Sequence, residues 1–155
     1  MFMTWLDFIG IPLLARLCLV ILFPFSTLDK IFNYKNAVAQ ANNCILPGGP
    51  LLLIIGGLVE VFGSLCVVCA WHDRLAAFTL AGYCAVTAIL FHNFWSYPDF
   101  WSASADSKAR THFWDFLKNF SLAGGLILLV LMSHMIPASD FIAHPLSSTP
   151  VTALP

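Results

Sequence analysis

The stretch that decides the fold is LLLIIGGLVEVFGSLCVVCAW, residues 51–71. It carries one charge, Glu60, and lacks the polar stripe that a soluble bundle helix shows at helical spacing. A bilayer is crossed by about 20 apolar residues. Lipid offers the backbone no hydrogen-bond partner, so such a run must be helical. Three other stretches have the same character. Residues 9–28 are interrupted only by Arg16, residues 75–95 carry no charge, and residues 116–136 carry Lys118 near their start.

The composition agrees. The 155 residues are 59% hydrophobic and 10% charged, whereas a soluble domain carries about 25% charge. Seven Lys+Arg stand against eight Asp+Glu, which leaves no basic field for nucleic acid. A soluble enzyme, a disordered chain and a nucleic-acid binder are therefore excluded. The expected fold is all-α: an integral membrane bundle of four transmembrane helices, antiparallel and up-down, within residues 1–136. The Pro-rich residues 137–155 cannot bury much and are expected to be disordered. Residues 9–28 read as a retained helix rather than a cleavable signal peptide. No Lys or Arg precedes them, the apolar run is too long, and no A-x-A site follows.

Trp5 and Trp71 are expected at one membrane face, with Trp95, Trp101 and Trp114 at or near the other, because the amphipathic indole favours interfaces. His72-Asp73-Arg74 makes a tight turn between spans two and three. In the long connection before span two, Ile31, Tyr34, Val38 and Ala41 recur at helical spacing and predict a short interfacial helix. Pro47-Gly48-Gly49-Pro50 then breaks the chain. The two long loops and their flanks carry Lys30, Lys35, Lys108, Arg110 and Lys118, and the opposite side carries only Arg74. The positive-inside rule then places the long loops in the cytoplasm and both termini outside.

Charge inside a bilayer costs about 2.5–3.5 kcal/mol near its centre, and by default it marks function. Arg16 and Glu60 both count to mid-depth, so an intramembrane Arg16–Glu60 ion pair is expected. Gly56, Glu60, Gly63 and Ser64 share one face of span two. Arg16, Phe23, Thr27 and Lys30 share a face of span one. Ala81, Ala85, Ala88 and His92 share one on span three, and Lys118, Ser121 and Gly125 one on span four. Turned inward, these faces make a polar bundle interior. Polar residues crowd the long-loop end, where a pocket is expected. His92 and His112 are the candidate catalytic residues, as proton carriers. Lys30, Lys118 and Asn119 are the candidate ligand-binding residues, with the lysines holding an anionic or carbonyl-bearing ligand. The bland alternatives are a pair that fixes helix register and residues that snorkel to water.

Cys66-Val67-Val68-Cys69 forms a C-x-x-C inside a hydrophobic span. A thiol in apolar surroundings is inert and packs as a small hydrophobe, with a membrane thiol–disulfide enzyme as the minor alternative. No metal motif, nucleophile triad or phosphate loop is present.

Further motifs run through all four spans in order. They read Leu13-Leu14-Ala15-Arg16-Leu17, Phe23-Pro24-Phe25-Ser26-Thr27-Leu28-Asp29-Lys30, Leu58-Val59-Glu60-Val61-Phe62-Gly63, Phe91-His92-Asn93-Phe94-Trp95 and His112-Phe113-Trp114-Asp115-Phe116-Leu117-Lys118-Asn119. This pattern, over roughly residues 10–132, resembles the DoxX family of small bacterial membrane proteins. The chain departs from it at Thr27, where the family usually has Gly, and at Pro24. The resemblance implies a four-helix protein of the plasma (inner) membrane. It also implies a link to quinone-coupled sulfur oxidation and to membrane redox complexes. The positions that match are Arg16, Lys30, Glu60, His92, Lys118 and Asn119. The leading expectation is an accessory or catalytic subunit of a membrane redox system, with a quinone as ligand and a redox partner protein. The alternatives are a non-enzymatic scaffold that binds partner helices, and a small-molecule or lipid permease acting as a homo-oligomer.

Overall fold

The computed structural model describes residues 6–42, 47–100 and 107–131. Among them are four helices long and apolar enough to cross a membrane. We number the helices α1 (Ile11–Phe32), α2 (Tyr34–Asn42), α3 (Gly49–Val68), α4 (Asp73–Phe91) and α5 (Lys108–Leu131). A π-helical turn, Leu6–Gly10, leads into α1, and a 3-10 turn, Phe94–Ser96, follows α4. The four long helices are α1, α3, α4 and α5, and they run up and down in chain order.

Their ends follow from local chemistry. Gly48 takes φ 89°, a left-handed conformation open to glycine, and Pro50 sits in the first turn of α3, where its missing N–H costs nothing. The far end of α3 closes as a Schellman motif. The Trp71 amide donates to the Cys66 carbonyl at 3.0 Å, and the Ala70 amide donates to Val67 at 3.3 Å. Glycine usually fills the left-handed position of that motif. Here it is Ala70, at φ 52°, and His72 follows at φ 49°. The guanidinium of Arg74 donates from Nε to the Val130 carbonyl at 3.0 Å. It thereby ties the start of α4 to α5.

Helix α1 keeps helical angles through Ile21, at φ −59° and ψ −29°, but loses one hydrogen bond nearby. Pro24, three residues on, has no N–H to give the Val20 carbonyl, a loss that lipid cannot repair. The Ser64 hydroxyl lies 3.4 Å from that carbonyl and 2.6 Å from the Glu60 carbonyl of its own helix. The core is small and aliphatic, built on Val20, Phe23, Val67, Leu80, Cys84 and Leu126. Close approach depends on missing side chains: a Cβ on Gly63 would stand 2.9 Å from Leu80, and one on Gly125 would stand 3.0 Å from Leu19. Large apolar residues such as Leu14, Ile54, Phe62, Phe78 and Leu128 face outward, as a lipid-facing surface requires.

Four membrane-length helices are present, and the expected short helix is present as α2, with Ala41 buried, but it starts at Tyr34, and Ile31 belongs to the last turn of α1. The fourth helix starts at Lys108, well before the apolar run at residue 116. Apolar length locates the hydrocarbon core, whereas a helix can continue into the polar interface. Trp71, Trp95 and Trp114 are all exposed at or near the ends of apolar spans. Trp5, Trp101, residues 132–136 of the expected fourth span and residues 137–155 lie outside the described residues. Replacing Ala70 with Gly removes the left-handed strain at the end of α3. The strain relieved is about 1–2 kcal/mol and the added chain entropy is about 0.4–1 kcal/mol. Ala70→Gly is therefore expected to stabilise the protein by about 0.5 kcal/mol, read as a higher unfolding midpoint in mild detergent; a lower midpoint would contradict the turn assignment.

Candidate functional site

Polar side chains meet at three levels along the bundle. At the short-turn end, Arg16 Nη2 contacts Asp73 Oδ2 at 2.7 Å. The expected Arg16–Glu60 pair is not formed. Register explains why. Ser64 lies beside Val20, and Gly57 lies beside Thr27. In antiparallel helices this sets Arg16 level with Val68, next to Asp73. Glu60 is then eight residues deeper, about 12 Å along the axis. Counting depth from the edge of the apolar run put Arg16 too deep, because it stands just over one turn from the start of α1.

The middle level is built on Glu60, which is 2% exposed. Its Oε1 accepts from Lys30 Nζ at 2.5 Å, Tyr83 OH at 2.9 Å and Ser26 Oγ at 3.1 Å, and its Oε2 accepts from Thr27 Oγ1 at 2.6 Å. Lys30 Nζ also lies 3.2 Å from Tyr83 OH. An ionised carboxylate in hydrocarbon is tolerated only when paired and hydrogen-bonded, and here both oxygens are served by α1 and α4. Glycines open the space: a Cβ on Gly56 would stand 3.1 Å from Tyr83 OH, and one on Gly57 would stand 3.3 Å from Thr27. Lys30 is therefore committed to Glu60. Tyr83 and Ser26 were not singled out by charge, since neither is charged. Their signal was the matching run of Gly56, Gly57 and Glu60 on the facing helix.

The third level lies at the long-loop end. His92 caps α4 and His112 stands in the first turns of α5, with ring centroids 5.7 Å apart. His92 Nδ1 is 3.9 Å from Asp115 Oδ2, and Lys118 Nζ is 2.5 Å from Asp115 Oδ1. Tyr97 stacks on His112 with centroids 5.0 Å apart, and its hydroxyl is 3.2 Å from Nε2. The Nδ1 atoms of both histidines are buried without a hydrogen-bond partner. Around them, Phe94 packs against Phe100, Phe113 and Phe116. An open cleft of about 450 Å³, lined by Phe100, Arg110, Phe113 and Trp114, adjoins this wall. Asn119 turns its amide to the Asp115 carbonyl of its own helix at 3.0 Å.

The candidate residues thus separate into two groups. Lys30 and Glu60 belong together. His92, His112 and Lys118 gather around Asp115, and nine residues of α4 from Tyr83 to His92 put the groups about 13 Å apart. Among the described residues, no group of three or more His, Cys, Asp or Glu could hold a metal ion.

Removing one partner of a buried ion pair strands the other charge and costs about 3–5 kcal/mol. Lys30 is partly exposed, so Lys30→Met is expected to destabilise the protein by about 2–3 kcal/mol. Lys30→Met/Glu60→Leu should lose less than Lys30→Met alone. Unfolding in mixed micelles measures both; a double variant as weak as the sum of its singles would show that the two side chains are uncoupled.

The family model described as DoxX matches residues 11–93, which takes in Arg16, Lys30, Glu60, Asp73, Tyr83 and His92. The inner membrane protein YqjF of Escherichia coli strain K12 is 31% identical over 130 residues, covering 83% of this chain and 88% of that protein. No solved structure matches the chain. A four-helix membrane bundle, a family match over more than half of its length and a relative of this likeness give one result: the chain belongs to the DoxX family.

Proposed function

We propose that this DoxX-family protein is a subunit of a membrane redox system and that it holds a quinone-class ligand at its long-loop end. The observation that carries the reading is that the buried Nδ1 atoms of His92 and His112 make no hydrogen bond, with the Asp115 carboxylate near the first of them at 3.9 Å. A buried polar atom without a hydrogen bond costs about 1–3 kcal/mol, which a ligand acceptor or donor reaching either of these neighbouring rings, 5.7 Å apart, would recover. The adjoining aromatic cleft suits a flat ring. A bound quinone would supply two-electron, two-proton chemistry there.

The side chains divide that work. His92 and His112 hold or release protons at Nδ1, and imidazole is the side chain suited to this near neutral pH. Tyr97 fixes the His112 ring from its other nitrogen. Asp115 is placed to stabilise a proton on His92, and Lys118 holds Asp115 while its own ammonium reaches water. Lys30 serves Glu60 rather than the ligand. Binding of a short-chain ubiquinone to the purified protein in nanodiscs, followed by tryptophan quenching, tests the reading. His92→Ala and His112→Ala are each expected to weaken binding about tenfold, the value of one good hydrogen bond to a charged or polar partner. Absence of bound or exchangeable quinone in the wild-type protein would sink it.

The orientation belongs to the same proposal. With Lys30, Lys35, Lys108, Arg110 and Lys118 toward the long loops and Arg16 and Arg74 toward the short turn, the excess of positive charge puts the long loops in the cytoplasm. A C-terminal reporter that works only in the cytoplasm should be silent, and an active reporter would reverse the arrangement.

A further inference from the structure

The C-x-x-C pair takes no part in either long-loop or mid-membrane chemistry, and neither cysteine is packed into the protein core. Val68 is the last residue of α3 and Cys69 is its C-cap. Cys69 is exposed, Cys66 is partly exposed, and both are free. Trp71, His72, Asp73 and Arg74 follow at once, which sets the pair at the interface where aromatic and charged residues collect. Cys84, by contrast, is fully buried in the core, as a packing cysteine is.

Residues three apart on a helix are neighbours. Ideal geometry puts their Cα atoms about 5 Å apart, within the range of about 4.4–6.8 Å that a disulfide spans. Their Cβ atoms, about 5–6 Å apart, must close by about 1 Å. The C-cap is where such a movement costs least. Cys69 is already at φ −77°, ψ −1°, and the Ala70 amide bonds Val67 three residues back. A disulfide closed under that strain is easily reduced, which is the property of exchanging rather than structural disulfides. Cys66 and His72 also line one open groove of about 510 Å³ between α3 and α4, together with Trp71.

We propose that Cys66 and Cys69 are a redox-active dithiol that exchanges with a disulfide substrate at the short-turn face. Cys69, the more exposed thiol, attacks one sulfur of the substrate R–S–S–R. The substrate S–S bond breaks, a Cys69–S–S–R bond forms, and the first R–S–H leaves with the proton that Cys69 gave up. Cys66 then attacks the Cys69 sulfur. The mixed disulfide breaks, the Cys66–Cys69 bond forms, and the second R–S–H leaves with the proton that Cys66 gave up. Two cysteines are oxidised and one disulfide is reduced to two thiols.

Glutathione is the probe. The full chain in detergent micelles is equilibrated across a range of reduced-to-oxidised glutathione ratios, acid-trapped, alkylated and mapped by mass spectrometry. Cys66 and Cys69 should lose alkylation together, and their shared peptide should become lighter by two hydrogens. In Cys66→Ala the resolving thiol is gone, so glutathione should accumulate on Cys69 about tenfold over wild type. Cys69→Ala should leave Cys66 alkylatable over the same range. Full alkylation of both cysteines at every ratio, or a Cys18–Cys66 cross-link in place of the Cys66–Cys69 one, would overturn the proposal.

Discussion

A carboxylate has been taken into the membrane, and the bundle is arranged around keeping it there. Glu60 is all but inaccessible, and the medium beyond the protein cannot solvate it. Every donor that it needs must come from another helix at a fixed depth. Ser26, Thr27 and Lys30 come from three positions on α1, and Tyr83 comes from the middle of α4. That demand sets the register of three helices at once. It also accounts for the adjacent glycines, since Gly56 and Gly57 admit the tyrosine ring and the threonine that reach the carboxylate. The hydrophobic effect does little to choose between helix registers inside a bilayer, because lipid is as apolar as leucine. A charge with a short list of acceptable partners chooses strongly.

Much of this was legible in the sequence, for a physical reason. Apolar length and scarcity of charge are properties of each segment alone, so the four spans, the short helix at Tyr34 and the exclusion of a soluble fold needed no tertiary information. Glu60 stood out for the same reason. Its partner did not. Arg16 and Glu60 can be paired by counting residues, but the true pairing depends on register, which is set by contacts such as Ser64 against Val20. Tyr83 was invisible to a search for charge, although its hydroxyl is as necessary to the carboxylate as the lysine is. The polar crowding at the long-loop end was also visible. That it forms a site of its own, separate from Lys30, required knowing that Tyr83 and His92 lie on one helix with two and a half turns between them.

The two ends of the bundle differ in kind. At the long-loop end, aromatic rings and imidazoles surround buried nitrogens that make no hydrogen bond. At the short-turn end, the groups are engaged with one another: Arg16 with Asp73, Arg74 with the end of α5, and a helix terminus closed on a residue that would rather be glycine. The first end is suited to receiving something. The second is held by charge and strained by backbone, and its cysteines stand at the point where a small rearrangement costs least.

The hydrogen bond missing from α1 has a mechanical consequence. Above Ile21, the helix is fastened by Arg16 to the turn and by Leu19 to Gly125. Below it, the helix is fastened by Ser26, Thr27 and Lys30 to Glu60. Between these two anchors, one backbone hydrogen bond has been replaced by a proline and a shared serine hydroxyl. A helix with an intact ladder transmits a tilt from end to end as a rod does. This one keeps its helical angles but lacks a rung, so the ladder between its two anchors is weakest at the step that Pro24 opens.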